Sequence, residues 1–240
     1  MRFLLFFLGC SIVMVADTLS ATYDVRYGLF GVIGKAGAAL TQDTGHYRIV
    51  IEANATGLAA VLSGDMKDRY ESEGQVVKGR LVPDIYRNIR RQGKRVTTWE
   101  FHFDHKRSRV FKTREECDGD TCKRRAGWYD RYARDDILSL YFNLRILLEQ
   151  VTPPDHMKFP AIGPKEGFVE ITFPAGEMLE DARDILGEEP GHVLIVTVHQ
   201  DIFTSEEGRF YLLMDDNGIT TTSVLTDAVL FGDVRGERVW

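Results

Sequence analysis

Cysteine is scarce in this chain of 240 residues: Cys10, Cys117 and Cys122 are all it has. That excludes a scaffold built on disulfides, because a chain this long buries about 70% of its unfolded surface without staples. Past Ala16 no apolar run approaches the roughly 20 residues that a membrane-spanning helix requires. Neither Gly-x-Ser-x-Gly nor Ser-x-x-Lys occurs, so the usual activated-serine arrangements are missing, and no glycine-rich loop is present to cradle a phosphate. Repeats, linkers and low-complexity stretches are absent too. The short patches Thr152-Pro153-Pro154, Phe159-Pro160 and Gly163-Pro164 read as turns inside one domain.

What is present begins at the start of the chain. Met1 and Arg2 precede an almost unbroken apolar run from Phe3 to Ala16, the pattern of a cleavable secretory signal. As a helix that run spans roughly 21 Å, short of a hydrocarbon core of about 30 Å. Cleavage is expected after Ala16 or after Ala21. The second is preferred because Tyr23 opens the first strand-like run. The expected organisation is a signal peptide over 1–21 and a single β-rich periplasmic domain over 22–240. A lipid-anchor site at Phe7-Leu8-Gly9-Cys10 is disfavoured, since the apolar run continues past Cys10. Cleavage removes Cys10 and leaves Cys117 and Cys122 flanking the turn Asp118-Gly119-Asp120-Thr121. In an oxidising compartment these two are expected to pair, a local clip contributing about 2 kcal/mol.

The net charge of -6 is unevenly spread. Bases dominate from Lys67 to Arg134, with runs such as Arg90-Arg91-Gln92-Gly93-Lys94-Arg95 and Lys123-Arg124-Arg125. Acids dominate from Asp135 onward. Two readings stay open for the basic 67–134 region: solvated strand faces, or a surface that meets anionic lipid headgroups or an acidic partner. No nucleic-acid module is present, and no nucleic-acid partner is expected.

Most of the remaining chain reads as strands. Expected runs are 23–29, 32–41, 46–55, 96–104, 110–113, 167–173, 192–202, 209–215, 219–225 and 228–232, with a tight hairpin at Asp216-Asn217-Gly218. From Val96 to Asp104 the alternation is clean: Thr97, Trp99, Phe101 and Phe103 share one face. A helix capped by Asp135 or Asp136 carries the apolar stripe Ile137, Leu138, Leu140, Tyr141, Leu144, Leu147 and Leu148 and ends near Gln150. A shorter helix, 177–186, ends at Gly187. The expected fold is mainly β: a strongly curved, half-barrel-like antiparallel sheet with one long apolar helix and one short helix packed on it.

Four stretches carry a resemblance. They are Tyr23-Asp24-Val25-Arg26-Tyr27-Gly28-Leu29-Phe30-Gly31 with Gly34-Lys35-Ala36-Gly37; Leu81-Val82-Pro83-Asp84-Ile85-Tyr86 with Phe103-Asp104-His105; Asp135 to Leu144; and Leu230-Phe231-Gly232-Asp233-Val234. Together they resemble the exported bacterial domain-of-unknown-function family 3108. The resemblance implies an envelope protein rich in antiparallel β-structure. By looser analogy the architecture is similar to the half-barrel carriers that localise lipoproteins in the periplasm. The family carries no catalytic residues to transfer, and fold analogy alone supplies no function.

A residue-by-residue search for chemistry leaves catalytic, metal and cofactor assignments at none. His102 and His105 point to opposite strand faces, and the His102–Asp104 pair lacks a third ligand. Ser139 inside the apolar helix reads as a hydroxyl bonded to a preceding carbonyl. Ligand-cavity candidates are Trp99, Phe101, Phe103, Leu140 and Leu144, although an aromatic stripe such as Trp99-Phe101-Phe103 is more often plain core than a ligand wall. Asn54-Ala55-Thr56 matches the glycosylation acceptor triplet. The leading functional expectation is a non-catalytic carrier for an apolar lipid or acyl ligand, or a lipidated envelope protein. Alternatives are an envelope scaffold with a filled core, a hydrolase with a dispersed site and, more distantly, an outer-membrane barrel, which Arg235, Glu237 and Arg238 oppose on a lipid-facing strand. The volume and lining of the space beneath the 135–149 helix separate the first two.

Overall fold

In the computed structural model of the chain, residues 17–164, 168–198, 208–229 and 232–239 are described. The leader run 3–16 with Cys10, and also Gly167, His199 to Ile202, Leu230, Phe231 and Trp240, lie outside the described residues.

Eight strands come first: β1 (Asp17–Tyr27), β2 (Val32–Asp43), β3 (His46–Ala55), β4 (Lys67–Val77), β5 (Arg80–Gln92), β6 (Arg95–Asp104), β7 (Arg109–Asp118) and β8 (Thr121–Trp128). A short helix α1 (Gly57–Ser63) interrupts them between β3 and β4. Next come β9 (Asp135–Asp136), α2 (Ile137–Leu148), β10 (Asp155–Ile162), β11 (Phe168–Phe173), α3 (Glu177–Leu186) and β12 (His192–Val198). β13 (Gly208–Met214), β14 (Thr220–Val229) and β15 (Gly232–Val239) complete the described chain.

All the strands join one sheet, ordered β8-β7-β6-β5-β4-β3-β2-β1-β15-β14-β13-β12-β11-β10-β9. Apart from β8 and β9, which lie at opposite edges, each strand lies beside its sequence neighbour, antiparallel in all but one pair, and β1–β15 pairing (Thr22↔Val239, Tyr27↔Val234) joins the first and last described strands. The β9–β10 pair is parallel. This is a mainly β fold built on a large open antiparallel sheet.

Helix α2 packs on both halves of that sheet. Leu138 and Phe142 enter a core with Leu40, Ile49, Leu81, Tyr86, Phe101 and Val110 from the first half. Leu140 and Leu144 enter another with Ile171, Leu194, Leu212 and Met214 from the second. A helix apolar nearly all round is one the protein encloses. Each of these four side chains stabilises by about 1.5–3 kcal/mol on burial. Strand alternation puts Val193 and Leu213 on the other face, where α3 covers them with Ala182 and Leu186. Arg235 of β15 holds α3 there by donating to the carbonyls of Ile185 and Leu186 (3.0 and 2.8 Å).

The helices correct the expectation. There are three among the described residues, and the apolar one is only twelve residues, ending at Leu148. Strands β4, β5, β8, β9, β10 and β15 also lie outside the expected runs, β15 beginning where the run 228–232 ends. Pro83 argues against a central strand because it cannot donate to the ladder. It is accommodated where the β4–β5 register shifts between Glu73 and Gly74. There the backbones are so close that a Cβ on Gly74 would sit 2.1 Å from the Val82 carbonyl oxygen.

Residues 17–21, which a cut after Ala21 would remove, form the first part of β1 and pair with 38–42 of β2. Leu19 and Ala21 pack against the first core.

Candidate functional site

The segment 129–134 leaves β8 at one edge of the sheet and enters β9 at the other. It forms a seam where both edges contribute side chains. Tyr129 continues the β8 pairing through its N–H to the Val110 carbonyl (2.8 Å), and its ring stands edge-on to Phe101 (5.9 Å). The Lys112 ammonium lies 5.0 Å from the Tyr129 ring centre and 5.4 Å from that of Phe101. It donates to the Pro164 carbonyl (3.3 Å), tying β7 to the turn beyond β10.

Farther along, the Tyr132 hydroxyl meets His105 Nδ1 at 2.8 Å, and His105 Nε2 meets the Pro83 carbonyl at 2.6 Å. A carbonyl only accepts, so Nε2 carries a proton; in the neutral ring Nδ1 therefore accepts from Tyr132. Phe103 stacks on His105 at 5.5 Å.

Between these groups and the end of β10 lies a cavity of ≈ 320 Å³, lined by Tyr129, Arg131, Tyr132, Ala133, Pro160, Ala161, Ile162 and Phe168. Its size falls at the lower end of small-ligand pockets, and its walls are aromatic rings and small apolar groups. Among the described residues, Arg131 is the only charged one in the lining.

A buried polar cluster fixes the cavity floor. Asp135 and Asp136 pair with Ala161 and Ile162, the residues that form it. Asp136 caps α2: Oδ1 accepts from the N–H groups of Leu138 and Ser139 (2.7 and 2.9 Å), while Oδ2 accepts from Ser72 Oγ of β4 (2.6 Å). Ser139 completes a capping box, its Oγ accepting from the Asp136 N–H (3.0 Å) and bonding the Asp136 carbonyl (3.2 Å). Tyr47 hydrogen-bonds Ser72 at 2.8 Å.

Burial raises the Asp136 carboxyl to about 6 despite the hydrogen bonds from Ser72 and the helix N–H groups, and Asp135 adds to the rise. Asp135 accepts from Arg80 (2.5 Å) and from Asn143 Nδ2 (3.2 Å). Asn143 also grips the Leu81 backbone, accepting from its N–H and donating to its carbonyl, both at 2.9 Å. Two of the motifs read from the sequence, 81–86 and 135–144, thus meet at one joint.

The sequence-derived candidates separate in space. Phe101 is fully buried beneath Tyr129, and Trp99 and Phe103 are partly buried against the same core. Leu140 and Leu144 belong to the other core, across α2. None of the five is in the lining of the seam cavity. Near the C-terminal half of α2, a space lined by Leu19, Leu40, Leu81 and Phe142 measures only ≈ 20 Å³, room for about one water.

Cys117 and Cys122 face each other across the β7–β8 hairpin as a disulfide. Asn54 is exposed on β3, between Lys35 and Lys67 of the flanking strands. His102 pairs with Glu100 (2.7 Å), and Asp104 with Arg107 (3.1 Å), so neither joins His105. Among the described residues no three His, Cys, Asp or Glu side chains gather as a metal-holding group. Sequence reasoning missed Tyr129, Tyr132, Ala133 and Phe168. The aromatic run Trp128-Tyr129-Asp130-Arg131-Tyr132, directly before the helix cap, was the available signal.

A family model described as "Protein of unknown function (DUF3108)" matches residues 22–152. No curated protein matches the chain. Among solved structures, the chain is similar to a β-barrel-like protein of the domain of unknown function DUF1849 from Brucella abortus. The similarity covers 95% of this chain and 97% of that one, at 9% identity and a TM-score of 0.55, and shows the fold alone.

Proposed function

The chain belongs to the DUF3108 family of proteins of unknown function, and on that footing we propose that it is an exported, periplasmic, non-catalytic binding module whose seam cavity takes one apolar group: the acyl chain of a lipid or of a lipidated envelope partner. The supporting observation is the ≈ 320 Å³ cavity walled by Tyr129, Tyr132 and Phe168. Aromatic and small apolar walls favour transfer of methylene groups from water at about 0.8 kcal/mol each. Native mass spectrometry of protein gently extracted from the envelope tests this reading. Retained acyl-bearing adducts are expected; homogeneous protein that also ignores fluorescent fatty-acid probes would overturn it.

A second reading has its own support. With Leu138, Leu140, Phe142 and Leu144 buried, α2 closes the interior, as expected of an envelope scaffold with a filled core. In-cell crosslinking that recovers a specific protein partner, together with an absence of bound lipid, would favour it.

A further inference from the structure

Helix α1 buries none of its seven residues. Leu58 is 67% exposed, Val61 75% and Leu62 79%, an aliphatic tip that folding does not account for. The Thr56 N–H donates to the Ile33 carbonyl (2.8 Å), which sets the start of α1 beside the first residues of β2. Phe30 and Val32, close to Ile33 in the chain, are exposed as well.

The other flank is basic. The Gly93 N–H donates to the Gly64 carbonyl (2.6 Å), holding the β5–β6 turn against the end of α1. Arg91, Lys94 and Arg95 on that turn are exposed, as is Lys67, the register partner of Arg91. None of the four makes an ion pair among the described residues. The Gly119 N–H donates to the Lys94 carbonyl (3.4 Å), which brings up the β7–β8 hairpin with its exposed Lys123, Arg124 and Arg125. Together these seven bases outnumber the neighbouring acids Asp65, Glu115, Glu116, Asp118 and Asp120.

Protruding aliphatics flanked by excess Lys and Arg match the layered chemistry of an anionic bilayer, with acyl chains below and phosphate headgroups above. We infer that α1 is an interfacial anchor: Leu58, Val61 and Leu62 enter the acyl boundary while the β5–β6 turn and β8 meet anionic headgroups. This surface lies at the opposite end of β7 and β8 from the seam cavity, whose Tyr129 follows the Trp128–Phe111 pair. It therefore stands or falls separately from the acyl-binding reading.

Vesicle co-sedimentation of the whole protein tests it, using phosphatidylglycerol–phosphatidylethanolamine and pure phosphatidylcholine vesicles. Binding to the anionic vesicles alone, weakened by salt, is expected. Lys94→Gln with Arg95→Gln is expected to weaken it about fivefold per charge removed. Val61→Asp with Leu62→Asp alters only exposed side chains, and circular dichroism checks its fold. It is expected to reduce binding by more than about tenfold. Val61→Trp supplies a gain of signal, a fluorescence blue shift on anionic vesicles beyond any shown by the wild type. Failure of the wild type to bind, equal binding by the aspartate variant, equal binding to phosphatidylcholine, or a Val61→Trp variant whose added emission vesicles leave unmoved would each overturn the proposal. So would a dimer that only the aspartate variant dissociates, with no vesicle binding.

Discussion

Replacing Asp136 by asparagine should change how the stability of this protein depends on pH. The carboxyl is fully buried between the first turn of α2 and Ser72 of β4, and burial raises it from 3.8 to about 6. Between those values the folded state binds a proton that the unfolded state has released, so stability falls as pH rises. A rise of about two, at about 1.36 kcal/mol per pH unit, gives about 3 kcal/mol, fully present below the unfolded value and lost by about pH 7. Asparagine keeps an oxygen for the Leu138 and Ser139 N–H groups and turns a donor toward Ser72, so the cap survives without the titration.

Other carboxylates slope the opposite way. Burial pushes Glu71 and Glu100 up, but Arg69 with Arg48, and Arg87 with His102, outweigh it and leave both below the usual range. Their contribution is lost as pH falls, and it is common to both proteins, so the difference curve isolates Asp136. Urea unfolding at fixed ionic strength from pH 4 to 7 should show the wild type gaining about 3 kcal/mol on Asp136→Asn as pH is lowered. A difference that stays constant across that range would refute the reasoning.

Three further changes probe the frame around the cavity. Asn143→Ala removes both backbone bonds to Leu81 and the one to Asp135, and should lower urea stability by about 3 kcal/mol. Gly74→Ala drives a methyl into the Val82 carbonyl at the β4–β5 bulge and should destabilise by more than about 4 kcal/mol, read as loss of soluble protein or of the thermal transition. A chain beginning at Thr22 lacks the Leu19 contact and five β1–β2 pairs, and should melt below one beginning at Asp17 by the equivalent of about 2 kcal/mol. N-terminal sequencing of exported protein should accordingly find Asp17.

Strands with clean alternation were legible from sequence, and β3 matches its expected bounds, 46–55. The capped apolar helix was legible too, because Asp136 and the leucine stripe are local signals. What escaped depends on distant partners. Glu71 and Glu73 make β4 look like a loop until Arg48 and Arg87 on the adjoining strands are seen to pair with them. Pro83 disguises β5 because the Gly74 bulge that admits it lies on another strand. The aromatic stripe was correctly placed on one face, yet pattern alone could not reveal that Tyr129 covers Phe101. The cavity is built by residues 129–133 meeting 160–162, and that closure is a property of the whole sheet.

The most direct test of acyl binding at the seam is calorimetric titration with fatty acids of increasing length, on the wild type and on Phe168→Ala. Phe168 is already 36% exposed, so its loss should spare the fold while removing one cavity wall. The account predicts affinity rising about fourfold per added methylene until the cavity is full, and a weaker, flatter series for the variant. A wild-type series indifferent to chain length, or one that Phe168→Ala leaves unchanged, would contradict it.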